Sequence, residues 1–150
     1  MRALVAVVLL VGCTPTPPKI PVTQDFGEEK STQVGRYNVA LTLDPDPPTL
    51  GELFVVHADV KLPDGLAVET GRVTLDARMP QHEHGMETRP VVREGQCEDD
   101  TDSGGRACRH PAGRYTADGF KFHMSGKWTV LVTVDGPGGP DSTTFIYRMP

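Results

Sequence analysis

Trp128-Thr-Val-Leu-Val-Thr-Val134 is the stretch of this 150-residue chain that decides its fold. Trp128 and three valines occupy every second position, and two threonines and Leu131 stand between them. Because successive side chains of a strand point to opposite faces, this period of two predicts a β-strand with one buried face. It is the clearest predicted strand in the chain.

Further runs with the same alternation predict a fold built of strands. They begin near Arg36, and turn-forming segments such as Asp44-Pro-Asp-Pro-Pro48 separate them. No segment shows a helical period. About seven short strands with this spacing predict an all-β antiparallel sandwich, although a closed barrel would show the same pattern. The other predicted strands cover residues 37–43, 54–62, 73–79, 120–124 and 143–147.

The first thirteen residues have the pattern of an export leader. Arg2 precedes an aliphatic run that ends in Leu10-Val-Gly-Cys13. A membrane-spanning helix needs about 20 apolar residues, so this run is too short to span a bilayer and long enough for a leader. Its end resembles the lipobox of bacterial lipoproteins, which implies cleavage before Cys13 and lipid attached to that cysteine. We therefore expect residues 1–12 to be a signal peptide.

Residues 13–33 are expected to form a stalk, because four prolines and a polar stretch favour extended, poorly packed chain. A sandwich domain would then occupy residues 34–150. Lipid on Cys13 would tether this domain to a membrane of the cell envelope. Thr14 follows the cysteine where, by resemblance to Gram-negative sorting signals, Asp would favour the inner membrane. The default expectation is therefore the outer membrane, facing the periplasm.

Composition argues against two classes of function. The formal net charge is −5 and the 15 Lys and Arg residues form no basic stripe, so nucleic acid is not an expected partner. No nucleophile stands beside a base and an orienting group, and His123 with Ser125 lacks the third member, so no enzyme is expected. An envelope protein of unknown identity is the expected macromolecular partner.

Two cysteines remain besides Cys13. Cys97 and Cys108 bound an acidic, glycine-containing stretch, and in an exported protein such a pair predicts a disulfide. Two free thiols or soft metal ligands are the alternatives. The acidic residues between the cysteines do not follow the spacing of a calcium loop, because Gly104 and Pro111 stand where oxygen ligands belong. We therefore expect a solvated acidic loop.

One stretch has the residue types of a metal site, namely Met79-Pro-Gln-His82-Glu-His84-Gly-Met86. Its histidines at i and i+2 would project from one side of an extended backbone, and thioether sulfur favours Cu(I). His123 and Met124 follow further along the chain. The alternative is that the methionines are core residues and the histidines are solvated. Lone His57 and His110 are expected to be ordinary surface residues.

The order of these motifs resembles the YtkA-like domain family, and the resemblance extends to FixH-like proteins. It rests on the Met79 to Met86 stretch, then Gly113-Arg-Tyr115, then Phe120-Lys-Phe-His-Met-Ser-Gly-Lys-Trp128, and it covers roughly residues 36–147. The resemblance implies an immunoglobulin-like sandwich in exported proteins, with roles in copper handling or in assembling membrane redox machinery. This chain departs from the pattern by inserting the acidic loop. The positions that match the family's metal-associated segments are Met79, His82, His84, Met86, His123 and Met124.

Tyr115 fits the immunoglobulin-like expectation, because a tyrosine just before a strand can fold back as a tyrosine corner. A half-buried tyrosine is the plain alternative. Two hypotheses about function remain. The chain is either a lipid-anchored module that binds or hands on copper, or a passive interaction module that docks an envelope protein without metal.

Overall fold

The computed structural model describes residues 25–94, 96–100, 105–109 and 112–150, the second and third of these ranges by backbone only. The predicted leader and Cys13 lie outside the described residues. Among those that are described, no helix is long and apolar enough to cross a membrane. The strands are β1 (Glu29–Ser31), β2 (Asn38–Asp44), β3 (Phe54–Lys61), β4 (Arg72–Met79), β5 (His84–Gly85), β6 (Val91–Glu94), β7 (Gln96–Asp100), β8 (Gly105–Arg109), β9 (Arg114–Phe120), β10 (Gly126–Gly136) and β11 (Gly139–Met149).

The strands form two antiparallel sheets and a separate ribbon. One sheet has the order β1-β2-β3-β9-β6, the other has the order β11-β10-β4-β5, and β7 pairs with β8 alone. The predicted all-β antiparallel sandwich is confirmed, with nine strands in the two described sheets where about seven were expected. The order β2-β3-β9-β6 opposite β11-β10-β4 matches the two sheets of an immunoglobulin-like sandwich.

Strand β10 supplies the centre of the core, as its alternation predicts. Trp128, Val130, Val132 and Val134 are fully buried, whereas Leu131 on the other face is 40% exposed. Strand β10 lies between β4 and β11, so both of its edges are paired. Its inward residues therefore meet the opposite sheet across the whole length of the sandwich.

Aromatic rings fill one end of this core. The Phe122 ring stacks on Trp128 with centroids 4.9 Å apart and on Tyr147 with centroids 5.3 Å apart. Phe54 approaches Phe122 from the other sheet, with centroids 4.9 Å apart. We call this the site end of the sandwich. It is formed by the aromatic cluster together with the connections at residues 45–53, 80–90 and 121–125.

The predicted boundary between stalk and domain at residue 33 needs correction, because residues 25–33 belong to the sandwich. Strand β1 pairs with β2, and the same segment continues along the outer edge of β11. The N–H groups of Asp25 and Gln33 donate to the carbonyls of Ile146 and Ser142, at 3.2 and 2.8 Å. This segment covers an edge strand that would otherwise present unpaired carbonyls. The polar composition that predicts a stalk here also suits an edge strand.

The strand predicted at residues 120–124 is also wrong. The strand in this region is β9, which ends at Phe120. Phe120 pairs with Phe54 while Asp118 pairs with Val55, so Gly119 is an extra residue that bulges from the ladder. Gly119 has φ of 89°, a conformation that favours glycine. The bulge ends the regular pairing, and residues 121–125 form a connection to β10.

Tyr115 lies inside β9 rather than just before a strand. It is 2% exposed, and its hydroxyl donates to the Val68 carbonyl at 3.2 Å. A tyrosine corner bonds the backbone a few residues upstream, whereas Val68 lies 47 residues away. Tyr115 instead links the connection after β3 to the core through this hydrogen bond.

Candidate metal site

His82 lies within the tight turn between β4 and β5, and His84 is the first residue of β5. The turn begins where β4 ends, and the N–H of His82 donates to the Met79 carbonyl at 3.1 Å. Glu83, between the histidines, has φ of 54°, which is the left-handed region. His84 then pairs with Met79 across the two strands. The backbone therefore turns at this motif, whereas the sequence predicts an extended run.

The turn brings the two imidazoles side by side. Their ring centroids are 6.4 Å apart and the ring planes differ by 8°. Both side chains are exposed. Metal–nitrogen bonds are about 2 Å long, so two rings on opposite sides of one ion have centroids roughly 6 Å apart. The observed centroid separation is close to this distance, and the near-parallel planes place the two rings in a stacked arrangement.

Met79 and Met86 flank this turn in different environments. Met79 is fully buried, and its methyl group lies 2.9 Å from the position that a Cβ atom on Gly126 would occupy. Met86 is half-buried, and its N–H donates to the Ala77 carbonyl at 3.2 Å. His84 and Met86 are two residues apart on strand-like backbone, so they lie on the same side of it.

His123 and Met124 lie in the connection before β10, beside Trp128. The indole N–H of Trp128 donates to the Met124 carbonyl at 2.9 Å. The His123 ring meets Trp128 edge-on, with centroids 5.4 Å apart. Its Nδ1 atom is buried and has no hydrogen-bond partner among the described residues. Both side chains are half-buried, so neither faces solvent as freely as His82 and His84 do.

Five of the six predicted residues belong to the site end and Met79 ends the adjoining strand β4, but the six are not equally close to one another. His82 lies beside His84, and His84 is opposite Met79. His123 contacts Trp128 instead. An ion pair of 3.3 Å between Lys121 and Glu87 joins the two connections that carry these groups. The described residues contain no group of three or more His, Cys, Asp or Glu side chains placed to hold a metal.

Sequence reasoning missed one polar group at this end. The hydroxyl of Thr88 is buried and has no hydrogen-bond partner among the described residues. Thr88 follows Met86 and Glu87 in the connection to β6. A lone threonine in a polar stretch gives no signal of burial, so the sequence offered no means of finding it.

His57, expected to be an ordinary surface residue, is half-buried on β3. Its Nδ1 atom lies 3.1 Å from the hydroxyl of Thr116. Burial, with a smaller contribution from the positive charge of Arg114, lowers the pKa of His57 below its usual 6.5. Arg114 itself forms two hydrogen bonds to Asp59, at 2.6 and 2.8 Å. His57 therefore belongs to a cross-strand polar group that lies apart from the predicted site.

The two cysteines of the acidic insertion face each other in the backbone ladder. Cys97 on β7 pairs directly with Cys108 on β8. Their side chains lie outside what the structure describes. Residues directly opposite in an antiparallel pair have Cα atoms about 4.5 or 5.5 Å apart, which is within the range that a disulfide spans. The register therefore suits the predicted bridge.

No family model matches this chain. No curated protein matches it either. Among solved structures, the chain is similar to one described as "ZirS C-terminal Domain", with a TM-score of 0.36 and 11% sequence identity over 99% of this chain and 94% of that chain. The resemblance to YtkA-like proteins accordingly stays a prediction from the motifs.

Proposed function

We propose that this chain is a lipid-anchored module of the cell envelope that binds copper through His82 and His84, with thioether sulfur from Met86. The observation that carries the proposal is the parallel imidazole pair, with ring centroids 6.4 Å apart on an exposed turn. Two imidazoles and a thioether form a donor set that suits Cu(I) better than Zn²⁺. Met86 follows His84 by two residues and packs partly against the core. Exposure of the turn would allow copper to enter and leave.

The other predicted ligands have supporting roles in this proposal. Met79 is fully buried, so we assign it to the core beneath the turn. His123 and Met124 are half-buried in the neighbouring connection, and the buried, unpaired Nδ1 of His123 marks that ring as the one further nitrogen donor we would include. For His123 to become a copper ligand with His82 and His84, the 121–125 connection would have to move towards the turn.

X-ray absorption spectroscopy of the Cu(I)-loaded protein would test the ligand set. The proposal predicts nitrogen scatterers at about 2 Å together with one sulfur scatterer at about 2.3 Å. Met86→Leu keeps the side-chain volume and should remove the sulfur scatterer. Met79→Leu is the matched control, and it should leave the spectrum unchanged. Loss of the sulfur signal in the Met79 variant would contradict the assignment of the two methionines.

The membrane anchor has its own test. Mass spectrometry of the mature protein should find acyl groups on Cys13 as the first residue, and Cys13→Ala should release the protein from membranes. A mature chain that retains residues 1–12 would contradict the proposed processing.

A passive interaction module is the second candidate, and one surface favours it. On the outer face of the β10 sheet, Asp76, Arg78, Pro80, Thr129 and Leu131 line a shallow groove. Leu131 is 40% exposed there. If this groove carried the function, Leu131→Asp would abolish partner binding, while removal of both histidines would leave it intact.

A further inference from the structure

The chain enters the sandwich at the site end. Asp25, the first described residue, is bonded to Ile146, three residues before the end of β11. The Phe26 ring packs edge-on against Tyr147, with centroids 5.4 Å apart. From there the segment runs towards the opposite end, where the side chain of Arg36 donates to the Pro140 carbonyl at 2.6 Å.

The same end presents two exposed leucines. Leu50 is 44% exposed and Leu53 is 64% exposed. Both lie in the 45–53 connection, which is held against the aromatic cluster by a 2.9 Å hydrogen bond from the N–H of Gly51 to the Phe122 carbonyl. Large, exposed apolar side chains three positions apart in one loop suit insertion into the interfacial region of a bilayer.

The length of chain before Asp25 bears on which end meets the membrane. About a dozen residues separate Cys13 from Asp25, and these span at most about 40 Å even when fully extended. The eleven-residue strand β11 makes the sandwich roughly 35 Å long. Because residues 13–25, the tether, join the domain at the site end, that end can touch the bilayer whether the tether is compact or extended. The opposite end can do so only if the tether is almost fully stretched alongside the domain, which costs chain entropy.

We infer that the site end docks on the surface of the bilayer that holds Cys13, through Leu50 and Leu53. The inference rests on the lipid anchor of the proposed function. Asp46 and Glu52 lie in the same connection as the leucines, so the docked surface is a zwitterionic one rather than a strongly anionic one. The copper site would then face the membrane, and its exchange partner would be a protein embedded in or lying on that membrane.

Tryptophan fluorescence can test the docking with a matched control. Trp128 is the sole native tryptophan and is fully buried, so it gives a constant background. Leu53→Trp places a probe at the site end, and Leu66→Trp places one at the opposite end, where the native leucine is also 64% exposed. The probes are used in the mature acylated chain that begins at Cys13, on vesicles of phosphatidylcholine and phosphatidylethanolamine with brominated acyl chains.

Docking predicts that the Leu53→Trp probe is quenched and shifts to shorter wavelength, and that the Leu66→Trp probe does neither. Adding Leu50→Glu to the Leu53→Trp chain should reduce the quenching. Equal quenching of both probes, or none in either, would contradict the docking. The lipid anchor would still be supported if acyl groups were found on Cys13. An unacylated Cys13 would overturn both. Copper binding in solution is independent of every one of these outcomes.

Discussion

The indole N–H of Trp128 donates to the Met124 carbonyl at 2.9 Å, and this bond fixes the connection between β9 and β10 to the aromatic core. Trp128→Phe would keep an aromatic ring in contact with Phe122 but leave the carbonyl without this donor. We expect a loss of about 1 to 3 kcal/mol in the free energy of unfolding, measured in urea. Amide hydrogen exchange should rise at residues 121–125 and stay unchanged at the 136–139 hairpin. Unchanged exchange at both places would contradict the role assigned to this bond.

Gly126 combines a backbone conformation that favours glycine with close contact to the end of the Met79 side chain. A Cβ atom at Gly126 would lie 2.9 Å from the Met79 methyl group, and φ there is 123°. Gly126→Ala should therefore cost about 1 to 3 kcal/mol in stability, mainly from backbone strain, because the Met79 methyl group is the free end of a flexible side chain and can move aside. Gly27→Ala is the matched control, since Gly27 also has positive φ but nothing within 4 Å of its Cβ position. We expect losses of similar size in the two variants, and a much larger loss in Gly126→Ala would mean that Met79 cannot move aside.

Asp141 holds the segment that covers β11. Its carboxylate accepts N–H bonds from Val34, Arg36 and Ser142, the shortest of them 2.8 Å. Burial would raise the pKa of this carboxyl, but these bonds and the Thr32 hydroxyl outweigh it, so the pKa lies below its usual 3.8. A lowered pKa means that the stabilisation is complete above about pH 4 and is lost as the pH falls through the folded-state pKa.

Asp141→Asn should therefore lower the free energy of unfolding at neutral pH, and its difference from the native chain should shrink in strong acid. Urea unfolding at several pH values measures both. Asp135→Asn, at an exposed position of the same hairpin, is the control and should change stability little. A difference that stayed constant down to about pH 2 would contradict the titration of Asp141.

The register of the β7–β8 ribbon leads to a prediction for Cys97 and Cys108, which are direct partners. For a chain that is exported, as proposed above, we expect a disulfide between them, which adds about 3 kcal/mol to stability. Reductant should lower the free energy of unfolding of the native chain and have no effect on the Cys97→Ala, Cys108→Ala variant. Alkylation of both thiols without prior reduction would exclude the bridge.

Alternation predicted the strands whose two faces differ most in polarity. β10 follows the pattern fully, because its apolar positions are buried and Leu131 on its other face is exposed. β9 was missed because its buried positions include the small Ala117 and its ladder is interrupted by Gly119. β1 was missed because it is a short, polar edge strand. Periodicity detects neither a bulge nor a strand whose role is to cover an edge.

The sequence likewise predicted some features of the candidate site and not others. Spacing predicted that His82 and His84 share one side of the chain, and the rings do lie side by side. The backbone that achieves this is a turn with Glu83 in the left-handed region, which residue types alone do not specify. Burial separates Met79 from Met86, and that difference depends on where β4 ends relative to the opposite sheet.

Titration of the protein with Cu(I) against a competing chelator of known affinity tests the central claim most directly. The account predicts tight binding of one copper per chain that is lost in the His82→Ala, His84→Ala variant. Both side chains are exposed, so this variant should keep its melting temperature. A Gln81→Ala, Glu83→Gln variant alters the same turn without removing an imidazole, and it should bind copper as the native chain does. Copper binding that is unchanged by loss of both histidines would contradict the account.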